Sequence, residues 1–198
     1  PPDHTRLRRL LATAFTPRTI EALRPMVQRL VDDALDRMAE QAAAGATVDL
    51  VGELAFPLPF DVISEMLGMP AADKLQIRGW SEAVVKMLDA VLTDDDIRAA
   101  VRANRELDAH LSGVLEWKRA NPGDDLLTLL IDAEHEGDRL SADELRDQVA
   151  LLFIAGHETT VNLIGTGTYE LLRHPDQAAR WRDAPALAPR AVDDLLRF

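Results

Sequence analysis

Residues 151–164 read LLFIAGHETTVNLI, an apolar segment with polar residues at its centre. Its apolar residues recur at helical spacing, which predicts a buried helix because such positions share one face. Gly156, Glu158 and Thr159 do not suit that helix, since glycine weakens a helix and an unpaired carboxylate is costly to bury. The apolar flanks therefore predict a core helix, and the polar centre is where function should be sought.

The helix that carries this segment is predicted to be long. Ser141 and Glu144 have the spacing of a capping box at its start, and no proline follows until Pro175, directly after His174. At a rise of about 1.5 Å per residue, a helix that ends at Arg173 would be about 48 Å long. We expect it to cross the molecule.

The rest of the chain also favours helices, so the predicted fold class is mainly α with minor β. Apolar residues form one helical stripe between Pro25 and Gly45. Thr93, followed by three aspartates, predicts the start of another helix that runs to about Arg119.

Shorter segments complete this prediction. Residues 46–50 are short enough for an edge strand, and FPLPF at 56–60 predicts a proline-containing bend before the next helix. A helix is expected over 72–91, and residues 191–198 still have a helical pattern. Because no repeat or composition break divides the chain, we expect one domain over 1–198 without an internal boundary.

The composition argues against several classes of function. Of 198 residues, 47% are hydrophobic, which predicts a folded protein with a sizeable core. The net charge of -12 disfavours a nucleic-acid partner. No uninterrupted apolar run reaches the ~18 residues of a membrane span, and the N-terminal residues lack the layout of a signal peptide, so we expect a cytoplasmic protein. The chain contains no cysteine and cannot itself supply a thiolate ligand.

The polar centre of the long helix has a pattern that suits chemistry. A broad face is expected to hold Leu151, Ile154, Ala155, Glu158 and Thr159. The Thr159 hydroxyl can donate to the Ala155 carbonyl, which bends a helix or opens a local π-bulge. A carboxylate and a hydroxyl would then flank a small hollow above an apolar surface.

The same residues also have a plain structural interpretation. His157 and Glu158 could face solvent, and Gly156 could let another helix approach closely. A metal site is a weaker alternative, because one histidine beside one acid is a poor ligand set and Val161 stands where a zinc motif needs a second histidine. Spacing alone leaves the choice between packing and chemistry open.

The motif AGHETT at 155–160 resembles the proton-delivery segment of the cytochrome P-450 family, the haem-thiolate monooxygenases, and especially its soluble bacterial members. Three further segments stand in the order of that family. PPDHTRLRRLLATAFTP at 1–17 is similar to the segment that grips the haem propionates, and FPLPFDVISEMLGMP at 56–70 to the helix after a short strand. AVDDLLRF at 191–198 resembles the start of the Glu-x-x-Arg helix. The resemblance implies a cytochrome P-450-like helical fold.

The resemblance also implies a cofactor, haem b (iron protoporphyrin IX). His4 and Arg8 are four residues apart on one helical face, and the resemblance gives them the haem propionates as ligands. Without it, HTRLRR would be interpreted as a solvated basic face. The iron ligand of the family is a cysteine in a later segment, so it would lie outside this chain.

For the long helix, the resemblance implies a proton relay. Glu158 and Thr159 would deliver protons to dioxygen, and Ala155 and Gly156 would leave space for it. The pocket over the haem would be lined by Leu151, Ile154 and Ala155.

One residue departs from the family pattern. The Glu-x-x-Arg pair is represented by Asp194 and Arg197, so the carboxylate is one methylene shorter and the ion pair is open to question. Since the family's cysteine segment and its first segments are not in the sequence, we expect the central portion of a larger enzyme, truncated at both ends.

The activity that the resemblance implies is insertion of one oxygen atom of O2 into an apolar small molecule. Electrons would come from NAD(P)H through ferredoxin and ferredoxin reductase or a similar donor. The carrier could dock on a basic patch of Arg6, Arg8 and Arg9, although a solvated face explains these residues equally well. Four apolar residues would contact substrate or belong to the core: Met87, Leu88, Val91 and Leu92.

Two alternatives from other classes stay open. The first is a non-catalytic, haem-free relative that acts as a helical partner or activator of another enzyme, which the missing cysteine favours and the intact AGHETT disfavours. The second is an unrelated all-α ligand-binding or regulatory domain. The mass of the native protein would discriminate between a fragment and a complete chain.

Overall fold

The computed structural model describes residues 2–70, 74–135 and 138–197, and regular structure in these ranges is almost entirely helical. The α-helices along them are α1 (Pro2–Ala14), α2 (Pro17–Ala22), α3 (Arg24–Ala43), α4 (Pro57–Met66), α5 (Lys74–Val85), α6 (Asp94–Ala120), α7 (Leu126–Asp132), α8 (Ala142–Arg173), α9 (Pro175–Asp183) and α10 (Ala188–Leu195). A π-helix covers Val51–Ala55, and Lys86–Leu88 and Pro185–Leu187 are short 3-10 helices. Within the same ranges the only strands are β1 (Glu134–His135) and β2 (Asp138–Arg139), which pair antiparallel. The predicted fold class is confirmed.

The two longest helices begin where the sequence predicts capping. The Thr93 hydroxyl accepts a hydrogen bond from the Asp96 amide at 3.2 Å, and the Asp96 carboxylate accepts one from the Thr93 amide at 3.0 Å. Ser141 and Glu144 form the same pair of bonds at the start of α8. Each capping box pairs two amides that an open helix end leaves unsatisfied. With this start, α8 runs for 32 residues to Arg173, as predicted.

Three local predictions are wrong. Residues 46–49 form no strand, because no described segment pairs with them and they extend from Gly45, whose φ is 78°. Residues 56–60 are not a bend, since Pro57 opens α4 at a position where proline's missing amide is harmless. The helix expected over 72–91 is α-helical only from Lys74 to Val85, and residues 72 and 73 lie outside the described ranges.

The core forms where α4, α6 and α7 pack on one side of α8, with α5 against α6. Helix α6 packs against α5 and α8, and α4 packs against α8. Phe153 of α8 is buried and meets Phe60 of α4 edge-on, with ring centroids 5.3 Å apart. Because this packing occupies one side of α8 only, it determines which residues of the helix face outward.

Helix α8 also bears on the membrane prediction. By length and mean hydropathy it could cross a membrane, the one helix in the described part of the chain for which this holds, and buried core helices pass the same test. The sequence expectation of no such segment rested on uninterrupted apolar runs. The difference arises because an average over a helix tolerates the polar residues of AGHETT.

Candidate functional site

Helix α8 has one face that the described residues leave open. Leu151 is 57% exposed, Ala155 and Thr159 are also exposed, and Ile154 and Glu158 are half-buried beside them. The five residues that the sequence predicts on one face therefore do share it. An acid and an alcohol lie there next to uncovered aliphatic side chains.

Thr159 makes the predicted bond to the helix backbone. Its hydroxyl donates to the Ala155 carbonyl at 2.7 Å, and Thr160 donates in the same way to the Gly156 carbonyl at 3.0 Å. The π-bulge that this bond could open is absent, since α8 is α-helical throughout Ala142–Arg173. A carbonyl oxygen has two lone pairs and can accept the hydroxyl while keeping its helical bond. The Thr159 oxygen thus keeps its acceptor capacity on the open face.

The Glu158 side chain has no structural partner among the described residues. Its half-buried carboxylate makes no hydrogen bond or ion pair with any described residue. The neighbouring His157 differs sharply, because only 1% of it is exposed. The interpretation in which His157 faces solvent is therefore wrong. No described group of three or more histidine, aspartate or glutamate side chains could hold a metal ion.

His157 occupies an aromatic cage that the sequence does not reveal. Its ring meets Phe56 edge-on at a centroid distance of 4.7 Å and Phe60 at 5.8 Å. Burial lowers the pKa of His157, and the Glu158 charge and a backbone hydrogen bond with Phe56 oppose this shift. Burial therefore favours the neutral form of the ring.

Gly156 has a packing role that the sequence left open. A Cβ atom placed on Gly156 would lie 3.1 Å from Cδ1 of Ile63 in α4. The missing side chain thus allows α4 to approach α8 closely, at the edge between the buried face and the open face. The small residue on the open face itself is Ala155.

The basic residues of α1 divide into two groups. His4 and Arg8 are exposed and make no hydrogen bond or ion pair within the part of the chain that the structure describes. Arg6 instead forms ion pairs with Asp138, at 3.2 Å, and with Glu144. Arg6 therefore anchors α1 beside the start of α8, and it is not part of a free basic patch.

The predicted ion pair near the C-terminal end of the described residues has suitable geometry. Arg197 Nη1 lies 3.2 Å from Asp194 Oδ1, and both side chains are largely exposed. Asp194 also lines a cavity of about 380 Å³ between the end of α8, α9 and α10. No other predicted site residue lines this cavity, so it is separate from the open face of α8.

The apolar residues that follow α5 are on the surface. Met87, Leu88 and Val91 are all exposed, whereas Leu92 is half-buried. The alternative that they belong to the core is therefore wrong for the first three. Their contact with a substrate stays a prediction.

Comparison with known proteins identifies the family. The family model for cytochrome P450 matches residues 1–184. The chain belongs to the cytochrome P450 family. It is 44% identical over 198 residues to cytochrome P450 107B1 of Saccharopolyspora erythraea, a match that covers 100% of this chain and 46% of that protein. It is also 44% identical over 199 residues to a vitamin D(3) 25-hydroxylase of Pseudonocardia autotrophica, covering 100% of this chain and 47% of that protein.

The fold of this cytochrome P450 chain agrees with solved structures. P450BioI in complex with a hexadec-9Z-enoic acid ligated acyl carrier protein aligns with a TM-score of 0.91 and 31% identity, over 100% of this chain and 49% of that one. The fold is thus cytochrome P450-like. The chain spans about half the length of the curated relatives it matches.

Proposed function

We propose that the chain is the central portion of a haem-dependent monooxygenase. In this proposal α8 lies over the haem, and its open face points toward the haem. The observation that carries this proposal is the combination of Glu158 and Thr159, both without structural side-chain partners, with uncovered aliphatic residues on one face. A helix used only for packing has no need of an acid and an alcohol there. We propose that the 198 residues belong to one domain of the larger protein.

The residues present fit a haem, as the family implies. A haem offers a flat apolar ring and two carboxylates. Leu151 and Ala155 provide an exposed apolar surface, and His4 and Arg8 provide two exposed hydrogen-bond donors that no described residue pairs. The chain has no cysteine, so the thiolate ligand would come from outside these residues. When bound, the haem would supply the oxygen-activating chemistry.

The side chains of α8 would then control how water and protons reach the pocket over the haem. The Thr159 hydroxyl donates to Ala155, which leaves its oxygen free to accept a hydrogen bond from a water molecule on the open face. Glu158 is half-buried and can exchange protons with solvent. Leu151 and Ile154 would exclude other water from the pocket. The chain's own contribution is therefore a controlled proton path beside an apolar surface.

The reaction of the whole protein would be oxygen insertion into an apolar small molecule. The relatives support this substrate class, since one is named for vitamin D(3) and another structure holds a hexadecenoic acid on its carrier. NAD(P)H would supply electrons through a ferredoxin and its reductase or a similar donor. With Arg6 engaged internally and Arg8 assigned to the haem propionates, Arg9 is the remaining exposed arginine of α1 for contact with the carrier. We propose a cytoplasmic location.

Haem retention tests this proposal most simply. In the full-length protein, His4→Ala with Arg8→Ala should lower the haem content after gel filtration, because each charge-assisted hydrogen bond contributes about 1.5 to 3 kcal/mol. Arg9→Ala is the matched control, since it removes a neighbouring exposed cation of α1. Equal haem contents in all three proteins would contradict the assignment of His4 and Arg8. A wild-type protein that binds no haem would favour the haem-free partner instead.

A further inference from the structure

His157 is enclosed by the core although it stands directly before the acid and the alcohol of the open face. The ring planes of Phe56 and Phe60 stand at 87° and 90° to the imidazole, so it is held edge-on from two sides. Phe56 joins the π-helix to α4, and Phe60 lies in the first turn of α4. The imidazole thus reaches out of α8 into a different part of the fold.

The hydrogen bonding of His157 defines one tautomer. A backbone hydrogen bond with Phe56 is among the causes that act on the pKa of His157. The Phe56 amide already donates to the Val51 carbonyl at 2.9 Å, so the Phe56 carbonyl is the group that receives the imidazole N–H. Nε2 of His157 is buried and has no hydrogen-bond partner among the described residues. Nδ1 is therefore the nitrogen that can donate to Phe56, and burial favours the neutral ring that carries its proton there.

Phe56, whose carbonyl accepts this bond, is itself held in place by helix α5. Arg78 of α5 places its guanidinium carbon 3.7 Å from the centre of the Phe56 ring. Arg78 Nε also donates to Glu82 at 2.7 Å, which orients the guanidinium. The contacts therefore run from α5 through Phe56 to α8.

We infer that His157 is a positioning residue that sets the rotation of α8 and so directs Glu158 and Thr159 toward the open face. The inference rests on the proposed function, because it assigns His157 a role through those two residues. At a side-chain radius of about 5 Å, a helix rotation of about 10° moves an atom by about 1 Å. A misplacement of about 1 Å can lower a rate about 100-fold.

Two substitutions separate positioning from packing. His157→Phe keeps a buried ring but removes the donor to Phe56. His157→Asn keeps an N–H near the place of Nδ1 but loses the ring. If His157 only fills space, His157→Phe should be both the more stable and the better coupled variant. If the bond to Phe56 sets the rotation, stability and coupling should rank the two variants in opposite orders.

The experiment uses the full-length holoenzyme and measures product formed per NAD(P)H oxidised, kcat, KM, haem content and melting temperature. We expect His157→Phe to melt at the higher temperature and yet to lose about tenfold or more in coupled turnover with KM little changed. His157→Asn should recover most of the coupling. Coupling in His157→Phe that equals or exceeds that of His157→Asn would overturn the inference.

Two further measurements test the inference about His157 and the proposed function separately. If neither variant retains haem, the nitrogen-15 chemical shifts of wild-type His157 decide, since a proton on Nδ1 supports the inference and a proton on Nε2 or on both nitrogens overturns it. A wild-type holoenzyme without a thiolate-type ferrous carbon monoxide spectrum would contradict the proposed function itself. The two failures are therefore distinguishable.

Discussion

The two faces of α8 have interleaved sequences and opposite environments. On the buried face even the polar His157 has aromatic partners on two sides, and Phe153 meets Phe60. On the open face aliphatic Leu151 is 57% exposed, and Glu158 has no hydrogen bond or ion pair with any residue described. Residues one position apart in this helix therefore lie in opposite environments, and we propose that one side serves stability and the other chemistry.

The largest expected contrast concerns stability. Phe153→Ala should lower the free energy of unfolding by about 3 to 5 kcal/mol, because it removes a fully buried ring and leaves a cavity. Leu151→Ala, on the open face, should change it by only about 0.5 kcal/mol. Urea denaturation of the full-length protein prepared without haem measures both. Similar losses in the two variants would mean that the faces are not distinct.

The next contrast concerns turnover. Glu158→Gln keeps the shape and hydrogen bonding of the side chain but removes its titratable proton, so turnover in the full-length enzyme should fall about 100-fold with substrate binding little changed. Asp147→Asn, which neutralises an exposed acid elsewhere on α8, is the control and should leave turnover near that of the wild type. Weaker substrate binding in Glu158→Gln would indicate a packing role for the carboxylate instead.

The smallest contrast concerns the edge between the faces. Gly156→Ala gains about 0.5 to 1 kcal/mol of helix stability, but its new methyl group would lie 3.1 Å from Ile63 Cδ1. Ile63→Val removes that atom. We therefore expect Gly156→Ala to be more stabilising in the Ile63→Val background than in the wild type, as measured by a double-mutant cycle. Additive effects would show that the contact does not restrict this position.

The sequence predicts α8 well because its determinants are local. Ser141 and Glu144 set the start through bonds within one turn, and Pro175 marks the end. The five residues of the open face follow from helical periodicity alone. The resemblance to cytochrome P450 then identified the family that the comparisons support.

The remaining features depend on contacts between distant segments. His157 is buried against Phe56 and Phe60, which lie before and within α4, and nothing near His157 in the sequence signals this cage. The sequence predicts that Arg6 belongs to a basic face, but in the structure Arg6 forms ion pairs with Asp138 and Glu144. Residues 46–50 have a composition that suits a strand, yet a strand also needs a partner.

We propose that the open face of α8 carries the proton path, and two adjacent threonines provide a direct test. Thr159 and Thr160 make the same bond to the backbone four residues earlier, but Thr159 is exposed on the open face and Thr160 is half-buried. Product, hydrogen peroxide and NAD(P)H oxidation should be measured together in the full-length enzyme for Thr159→Ala and Thr160→Ala. We expect Thr159→Ala to divert oxygen consumption to peroxide, whereas Thr160→Ala should stay coupled. Equal coupling in the two variants, at the level of the wild type, would contradict the proposal.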